Sequence, residues 1–376
     1  MQEHHHLFYF LKNRELNELY STIAIRSFAL SMTGIFIPIF LYQLGYPFQS
    51  IFSFYLFAAV VHAFFTIPFA KLSSKIGLKH SMLISIFFMI IFFVLLGSLE
   101  SIGWPLFLLS LFFGMNTSLF WLSYHVDFAR VSDKKNRGKE VGMSQVLVLV
   151  FGVLGPLIGA LILNFFGFTV LFILVFFLLL SSTVPLFLSR EVHESADFSL
   201  KGFFRNQKPK NVLAYIGHGI ENKIGAVVWP LFIFIFIFGE QYLSLGAVSS
   251  IAVFFALAST FVVGKFSGKK RRKVLKIGSI SNAIVWVGKS FIVTPSQVFI
   301  VDSFYGASQA AMHVSFDALN YDKGKKGRFM KTIVQREIYH HVGVIILFLT
   351  MIFLVDSFVD VFRFGGSISS LMRFFF

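Results

Sequence analysis

The sequence contains no cysteine, which excludes disulfide bonds, thiolate metal sites and cysteine nucleophiles. Charged residues make up only 14% of its 376 positions, whereas about a quarter of a soluble domain is charged. Hydrophobic residues reach 56%, and phenylalanine alone occupies 53 positions. A chain this apolar cannot cover its surface with polar side chains, which indicates that most of it lies in a lipid bilayer.

Several catalytic motifs are also absent. The chain has no Gly-x-x-x-x-Gly-Lys-Ser/Thr loop, which argues against ATP-driven transport by this chain alone. It has no Gly-x-Ser-x-Gly or His-Glu-x-x-His motif, so we expect no enzyme activity, no cofactor and no metal. Residues 1–20 lack a signal-peptide pattern and are interpreted as an amphipathic helix at the inner membrane surface.

Apolar segments long enough to cross a bilayer, which takes about 20 residues, recur along the whole chain. The predicted spans are 21–44, 50–70, 80–98, 103–126, 143–163, 167–189, 211–238, 241–263, 274–292, 296–318, 335–355 and 357–376. The last contains Asp360, Arg363 and Arg373, so an interfacial helix is its alternative. The predicted fold class is therefore an all-α membrane protein with about twelve transmembrane helices.

Nearly all of the 33 lysine and arginine residues fall in alternate loops. They lie at the N-terminus, after the second, fourth, eighth and tenth spans, and between the sixth and seventh. Opposite loops such as 45–49 and 99–102 contain none. This positive-inside pattern predicts cytoplasmic termini in a multi-pass protein of the plasma or inner membrane. It also accounts for the net charge of +15 without a nucleic-acid partner.

The chain repeats itself at an offset of about 190 residues, as tandem structural halves do. Two loops and one proline recur, namely 70–75 with 264–269, 133–138 with 322–327, and Pro38 with Pro230. An even number of spans in each half makes the halves parallel repeats. The predicted organisation is a cytoplasmic N-terminus at 1–20, a first half at 21–189, a cytoplasmic linker at 190–210 and a second half at 211–376.

The chain resembles the major facilitator superfamily of transporters over nearly its whole length, most clearly in the loop 70–79. The family carries a Gly-x-Leu-Ala-Asp-Arg-x-Gly-Arg-Arg motif after its second span. An alanine and a serine replace the leading glycine and the acidic residue here. The positions that fit the motif are Leu72, Lys75, Gly77 and Lys79.

The resemblance implies a cytoplasmic gate at this loop. An acidic residue that ends the fourth span pairs with the basic motif in the family. Asp127 holds that position and would pair with Lys75 or Lys79, and Asp317 with Lys269 or Lys270 would be the copy in the second half. The alternative is an ordinary basic flank beside an exposed acid.

A glycine and proline cluster in the fifth span resembles part of a motif of the family's antiporters. It comprises Gly152, Gly155, Pro156 and Gly159. The resemblance favours export, whereas close helix packing and a kink are the alternative. The fourth span has no arginine before Arg130, so the arginine associated with proton coupling in the family's drug exporters is absent.

Polar side chains share one helical face in several spans, and ionisable groups inside a bilayer are functional candidates. The candidate residues of a substrate and ion cavity are Arg26, Asn116, Ser123, His218, Glu221, Asn222, Asp302, Gln309 and His313. Hydrogen bonds that hold helices together are the alternative for the stripes in the fourth and tenth spans.

Arg26 corresponds to His218 at the repeat offset, so Arg26 and Glu221 should lie at similar depth on two cavity-lining helices. We expect an ion pair between them across the cavity, with a purely structural role as the alternative. His62 is interpreted as a packing residue, and Lys289 as a side chain that extends to the outer membrane boundary.

These features predict a secondary transporter that moves a small molecule across the bilayer by alternating access. Protons are a candidate coupling ion, and a monomer is the expected state. The alternative is a protein of the same fold with a non-transport role, such as lipid handling or reception.

Overall fold

The computed structural model describes residues 13–133, 137–196, 207–323, 329–353, 357–369 and 372, without the side chains of 138, 261–270 and 369. These residues form thirteen α-helices and no β-strand. The helices are α1 (Arg14–Ser31), α2 (Ile37–Gln43), α3 (Phe48–Ile76), α4 (Leu78–Gly97), α5 (Leu99–Ile102), α6 (Leu106–Val131), α7 (Arg137–Ser181), α8 (Pro209–Lys223), α9 (Trp229–Phe232), α10 (Tyr242–Lys289), α11 (Pro295–Lys323), α12 (Phe329–Phe353) and α13 (Phe358–Ser369). We call α1–α7 the first half and α8–α13 the second half.

Within the described residues, seven helical segments are long and apolar enough to cross a membrane. Their outward surface is apolar, with Phe64, Phe165 and Phe166 exposed to 71%, 68% and 67%. A water-facing surface would not expose such side chains in a continuous belt. The all-α membrane class predicted from composition is therefore confirmed.

Two of the helices, α7 and α10, each cover two of the predicted membrane spans. In α7, Gly167 has a left-handed φ of 78° where the predicted fifth and sixth spans meet. In α10, Ala256 packs on Gly306 of α11, and Gly278 packs on Met312 of the same helix. A straight helix would hold Ala256 and Gly278 about 33 Å apart, so α10 reverses direction between them.

The structure corrects two predicted boundaries. Helix α1 begins at Arg14 and continues past residue 20, so the predicted boundary after residue 20 falls inside one helix; residues 1–12 lie outside the description. The predicted span 21–44 is divided into α1 and α2 by a turn that begins after Ser31.

The two prolines that match in sequence interrupt matching helices. Pro38 lies in the first turn of α2, directly after the break from α1. Pro230 lies in α9, between π-helical turns at Ile224–Val228 and Ile233–Ile237. Proline lacks the N–H that would bond to the fourth preceding carbonyl, which explains why both helices lose regular α-helical bonding at this point.

Glycines bring equivalent helices into contact in the two halves. A Cβ on Gly155 of α7 would overlap Ser31 at the end of α1, and a Cβ on Gly159 would overlap the backbone of Met32 beside it. In the second half, a Cβ on Gly343 of α12 would overlap the backbone of Ile216 in α8. On another face of α7, Gly246 of α10 packs on the carbonyl of Pro156 and so joins the halves.

The packing predicts that one alanine substitution in α7 destabilises the protein and that another has little effect. Gly159→Ala should lower stability by about 1–3 kcal/mol, because its Cβ would overlap the Met32 backbone, which cannot move aside. Gly152→Ala is the matched control, since its Cβ would meet Val253 at an ordinary 3.6 Å. Thermal unfolding in detergent measures both, and equal midpoints would contradict the close approach.

Candidate functional site

A cavity of about 250 Å³ lies between the two halves. The first half contributes a mainly aromatic wall that includes Tyr55, Phe113 and Trp121, with some polar groups beside it. The second half contributes most of the ionisable groups. They are His218, Lys223, His313, Asp317, Arg336, Glu337, His340 and His341.

The structure distributes the predicted cavity residues over three locations. His218, Asn222 and His313 line the cavity. Arg26, Asn116 and Ser123 are buried within the first half. Within the second half, Glu221 and Asp302 are buried, and Gln309 donates a hydrogen bond to Tyr305 at 2.9 Å.

A chain of ring nitrogens connects the cavity with a buried carboxylate. His218 Nδ1 lies 2.9 Å from His340 Nδ1, and His218 Nε2 lies 3.3 Å from His313 Nδ1. His313 Nε2 is in turn 3.5 Å from Glu221 Oε2. The hydroxyl of Tyr305 donates to Glu221 Oε1 at 3.1 Å. Each neighbouring pair can exchange a proton, so the chain can carry protons between the cavity and Glu221.

The ion pair expected between Arg26 and Glu221 is not formed, and that expectation is corrected. Arg26 Nη2 donates to Asn116 Oδ1 at 3.1 Å, and its guanidinium lies 3.8 Å from the ring centroid of Phe120. Both partners belong to the first half. Arg26 therefore joins α1 to α6, with an aromatic face and an amide in place of a carboxylate.

Lys289 does not extend to the outer boundary as predicted. Its side chain is fully buried, and Nζ lies 2.8 Å from Asp302 Oδ1. The ammonium also lies 4.2 Å from the Trp229 ring centroid and 3.7 Å from that of Tyr305. Asp302 also accepts a hydrogen bond from Trp229 Nε1 at 2.9 Å. The pair thus holds together the interior of the second half.

The predicted pairing of Asp127 with Lys75 or Lys79 is also corrected. Lys79 is buried, and its Nζ lies 2.6 Å from Glu18 of α1. Asp127 lies 3.5 Å from Arg130 on its own helix. Leu72 and Lys75 are exposed. Through Lys79, the loop motif therefore joins α4 to α1 within the first half.

The side chain of Glu191 packs against the same loop. A Cβ on Gly77, which has a φ of 96°, would overlap the Glu191 side chain. Partial burial of Glu191 disfavours its charge, but the backbone N–H groups of Val192, Lys79 and His80 outweigh this. They hold the pKa of Glu191 below its usual range.

Asp317 of the predicted gate lines the cavity and lies 2.8 Å from Arg336 Nη2. The side chains of Lys269 and Lys270, its expected partners, lie outside the described residues. Contacts between the halves at this end come from other residues. Arg137 lies 3.3 Å from Asp322, which also binds Arg271 at 2.5 Å.

The other end of the cavity is closed by aromatic and polar contacts between the halves. The hydroxyl of Tyr42 donates to Glu240 Oε1 at 3.3 Å, and Tyr242 donates to Gln43. The rings of Phe48 and Phe358 meet edge to face at 5.3 Å. The described contacts therefore join the halves on both sides of the cavity.

Sequence reasoning missed the densest part of the site. Arg336, Glu337, His340 and His341 all lie on α12 and line the cavity. The predicted span 335–355 contains all four residues. Ionisable residues inside a predicted span are the signal that could have identified them.

Comparisons with known proteins agree with this architecture. A family model described as Major Facilitator Superfamily matches residues 19–322. No curated protein matches the chain by sequence. A crystal structure of the transporter FucP in the outward conformation matches with a TM-score of 0.73 and 14% identity, covering 96% of this chain and 97% of that chain.

Two further solved structures give similar values. A variant of the E. coli fucose:proton symporter FucP matches with a TM-score of 0.71 and 14% identity, covering 96% and 97% of the two chains. The human organic anion transporter MFSD10 matches with a TM-score of 0.70 and 12% identity, covering 96% and 98%. At such identities the likeness shows the fold.

The buried pair predicts a large stability effect. Asp302→Asn should destabilise the protein by about 3–5 kcal/mol, because it leaves the Lys289 ammonium buried without a counter-charge. Asp360→Asn is the control, since Asp360 and Arg363 are exposed and such pairs contribute about 0–1 kcal/mol. Unfolding in detergent measures both, and equal losses would disprove the role of the buried pair.

Proposed function

The chain belongs to the Major Facilitator Superfamily, and we propose that it transports a small organic anion together with protons across the cytoplasmic membrane. The observation that carries this proposal is the second-half wall of the cavity, where Lys223 lies near a histidine chain that ends on Glu221. The basic loops and both termini would face the cytoplasm.

Alternating access requires contacts at each end of the cavity that can break in turn. At the basic end these are the bonds of Arg137 to Asp322, and at the other end the bonds of Tyr42 to Glu240 and of Tyr242 to Gln43. Among the described residues, few polar contacts join the halves at either end, so each set can open without unfolding a helix.

Lys223 supports an anionic substrate. Its side chain lines the cavity, and among the described residues its ammonium has no ion-pair or hydrogen-bond partner. The other cavity cation, Arg336, is already paired with Asp317. An unpaired ammonium is costly away from bulk water, and a carboxylate or phosphate would offset that cost.

Glu221 supports coupling to protons. Its carboxylate is fully buried and accepts hydrogen bonds from Tyr305 and Asn282, while His313 connects it to the cavity. Protonation of Glu221 removes a negative charge near the cavity and so strengthens binding of an anion. By linkage the anion strengthens proton binding to the same degree, which favours symport.

Export by antiport is the alternative that the glycine and proline motif in the fifth span favours. Here Gly155 and Gly159 contact α1, while Pro156 contacts α10. These contacts support a packing role for the motif. A proton release on substrate binding, measured in weakly buffered detergent solution, would identify antiport, whereas proton uptake is expected for symport.

Lys223→Met should weaken binding of an anion about tenfold to a hundredfold, because a charge-assisted hydrogen bond contributes about 1.5–3 kcal/mol. A thermal-shift screen with carboxylates, sugar phosphates, neutral sugars and cationic drugs identifies the ligand. Lys210→Met, at an exposed position, is the control. Stabilisation by neutral or cationic compounds alone would overturn the anion assignment.

Glu221→Gln should abolish accumulation driven by a pH difference while it preserves exchange of substrate for substrate. One unit of pH difference is worth about 1.4 kcal/mol and supports roughly tenfold accumulation in the unmodified protein. Proteoliposomes loaded with the ligand from the screen measure both fluxes, with Glu100→Gln at an exposed site as the control.

Unchanged accumulation in Glu221→Gln would remove this residue from the coupling role. A ligand that binds but never crosses the membrane in any of these proteins would support the non-transport alternative instead.

A further inference from the structure

Three ligand-type side chains converge where the two halves meet. His62 belongs to α3 of the first half, and Glu337 and His341 lie one turn apart on α12 of the second half. One nitrogen or oxygen from each lies within 4.8 Å of the others, and all three residues are buried. Glu337 and His341 also line the cavity, which provides a path to the cluster.

The hydrogen bonds around the cluster determine where its lone pairs point. His341 Nδ1 lies 3.0 Å from the carbonyl oxygen of Glu337, which can only accept, so this nitrogen carries the proton. The Thr117 hydroxyl donates to the Gly114 carbonyl at 3.1 Å. Thr117 is therefore an acceptor for His62 Nδ1, which lies 3.0 Å away.

Both neutral imidazoles consequently present an unprotonated Nε2 to the cluster. His62 Nε2 is buried without a hydrogen bond and lies 3.3 Å from Glu337 Oε2. The two imidazole rings are stacked with their centroids 3.3 Å apart. Lone pairs that face one another repel, so the cluster requires a positive ligand between its members. One shared proton can bridge two of the three atoms, whereas a metal ion can bind all three.

We propose that His62, Glu337 and His341 form a binding site for a divalent transition metal of the Zn²⁺ class at the boundary between the halves. Two imidazoles and a carboxylate suit this class of ion, with bonds of about 2.0–2.2 Å. Two such bonds at a tetrahedral angle place their ligand atoms about 3.3 Å apart, which is the separation of His62 Nε2 and Glu337 Oε2. The stacked rings must spread apart for both nitrogens to bind.

Some groups around the three proposed ligands favour metal binding, and others disfavour it. Thr117 and the Glu337 carbonyl orient the two rings in the way that outer partners of metal-binding histidines do. His125 Nε2 lies 4.0 Å from the second carboxylate oxygen of Glu337. The ring of His340 lies beside that of His341, with the centroids 4.9 Å apart. Lys223 opposes positive charge on both ligand histidines. Removing the Lys223 charge should therefore strengthen metal binding.

Metal affinity is measured on the full purified chain by calorimetry with Zn²⁺, and by the visible absorption of Co²⁺ in a four-coordinate site. The run His4-His5-His6 is replaced by serine in every protein, since it would bind metal on its own. We expect one saturable site. Glu337→Gln and His341→Gln should each weaken binding at least about a hundredfold, since even the loss of an orienting partner costs about 10–100-fold.

Thr117→Val should weaken Zn²⁺ binding about 10–100-fold while it leaves all three ligands in place. Lys223→Met should strengthen binding. The melting temperature of each variant without metal shows whether it is folded. No saturable binding, or affinities unchanged in both Glu337→Gln and His341→Gln, would overturn the site and show that the cluster holds a proton only.

A metal in this position would join the halves, a consequence that rests on the proposed transport function. Saturating Zn²⁺ should therefore block flux of the anion in proteoliposomes, and His341→Gln should be insensitive to it. Flux that persists with the site occupied would overturn the bridging role. Binding is measured without transport, so a failure of the metal site leaves the transport proposal intact, and the reverse also holds.

Discussion

A charge buried among apolar helices needs a partner inside the protein, and this requirement governs the arrangement described above. Lys289 is paired with Asp302, Arg336 with Asp317 and Lys79 with Glu18. Arg26 lies against an aromatic ring and an amide. Each of these contacts joins two helices of the same half, so the charges help to hold each half together. Lys223 departs from the pattern, and it does so in the wall of the central cavity.

The two halves share an architecture but divide the chemistry unequally. Glycines bring α1 against α7 and α8 against α12 in the same manner. The first half then presents mainly aromatic rings to the cavity, while the second half presents most of the titratable groups. The rings exclude water from much of this wall, although Thr117, Ser144 and Gln145 also line it. Polar groups on the facing wall therefore interact in a medium of low dielectric constant, where each contact is stronger than in water.

Features that depend on a short stretch of sequence could be predicted, whereas pairings between distant helices could not. Hydropathy predicted the all-α membrane class, and the repeat identified Pro38 and Pro230 as equivalent positions, both of which interrupt helices. The partner of a charged side chain depends on how its helix is rotated and how deep it lies, and residue spacing within one helix does not determine either. Lys79 therefore binds Glu18 rather than Asp127, and His62, interpreted as a packing residue, faces Glu337 across the boundary between the halves.

The interrupted helices at Pro38 and Pro230 have a mechanical consequence. A regular helix resists bending because every carbonyl on the stretched side must lengthen its bond to the N–H one turn away. At each proline one such bond is already missing, and the neighbouring turns are irregular. The segment that follows each proline can thus bend at the interrupted turn while the remainder of the half stays in place. Tyr42 follows the first break and Glu240 follows the second. The hydrogen bond between them can therefore break and re-form while the helices before each proline keep their positions.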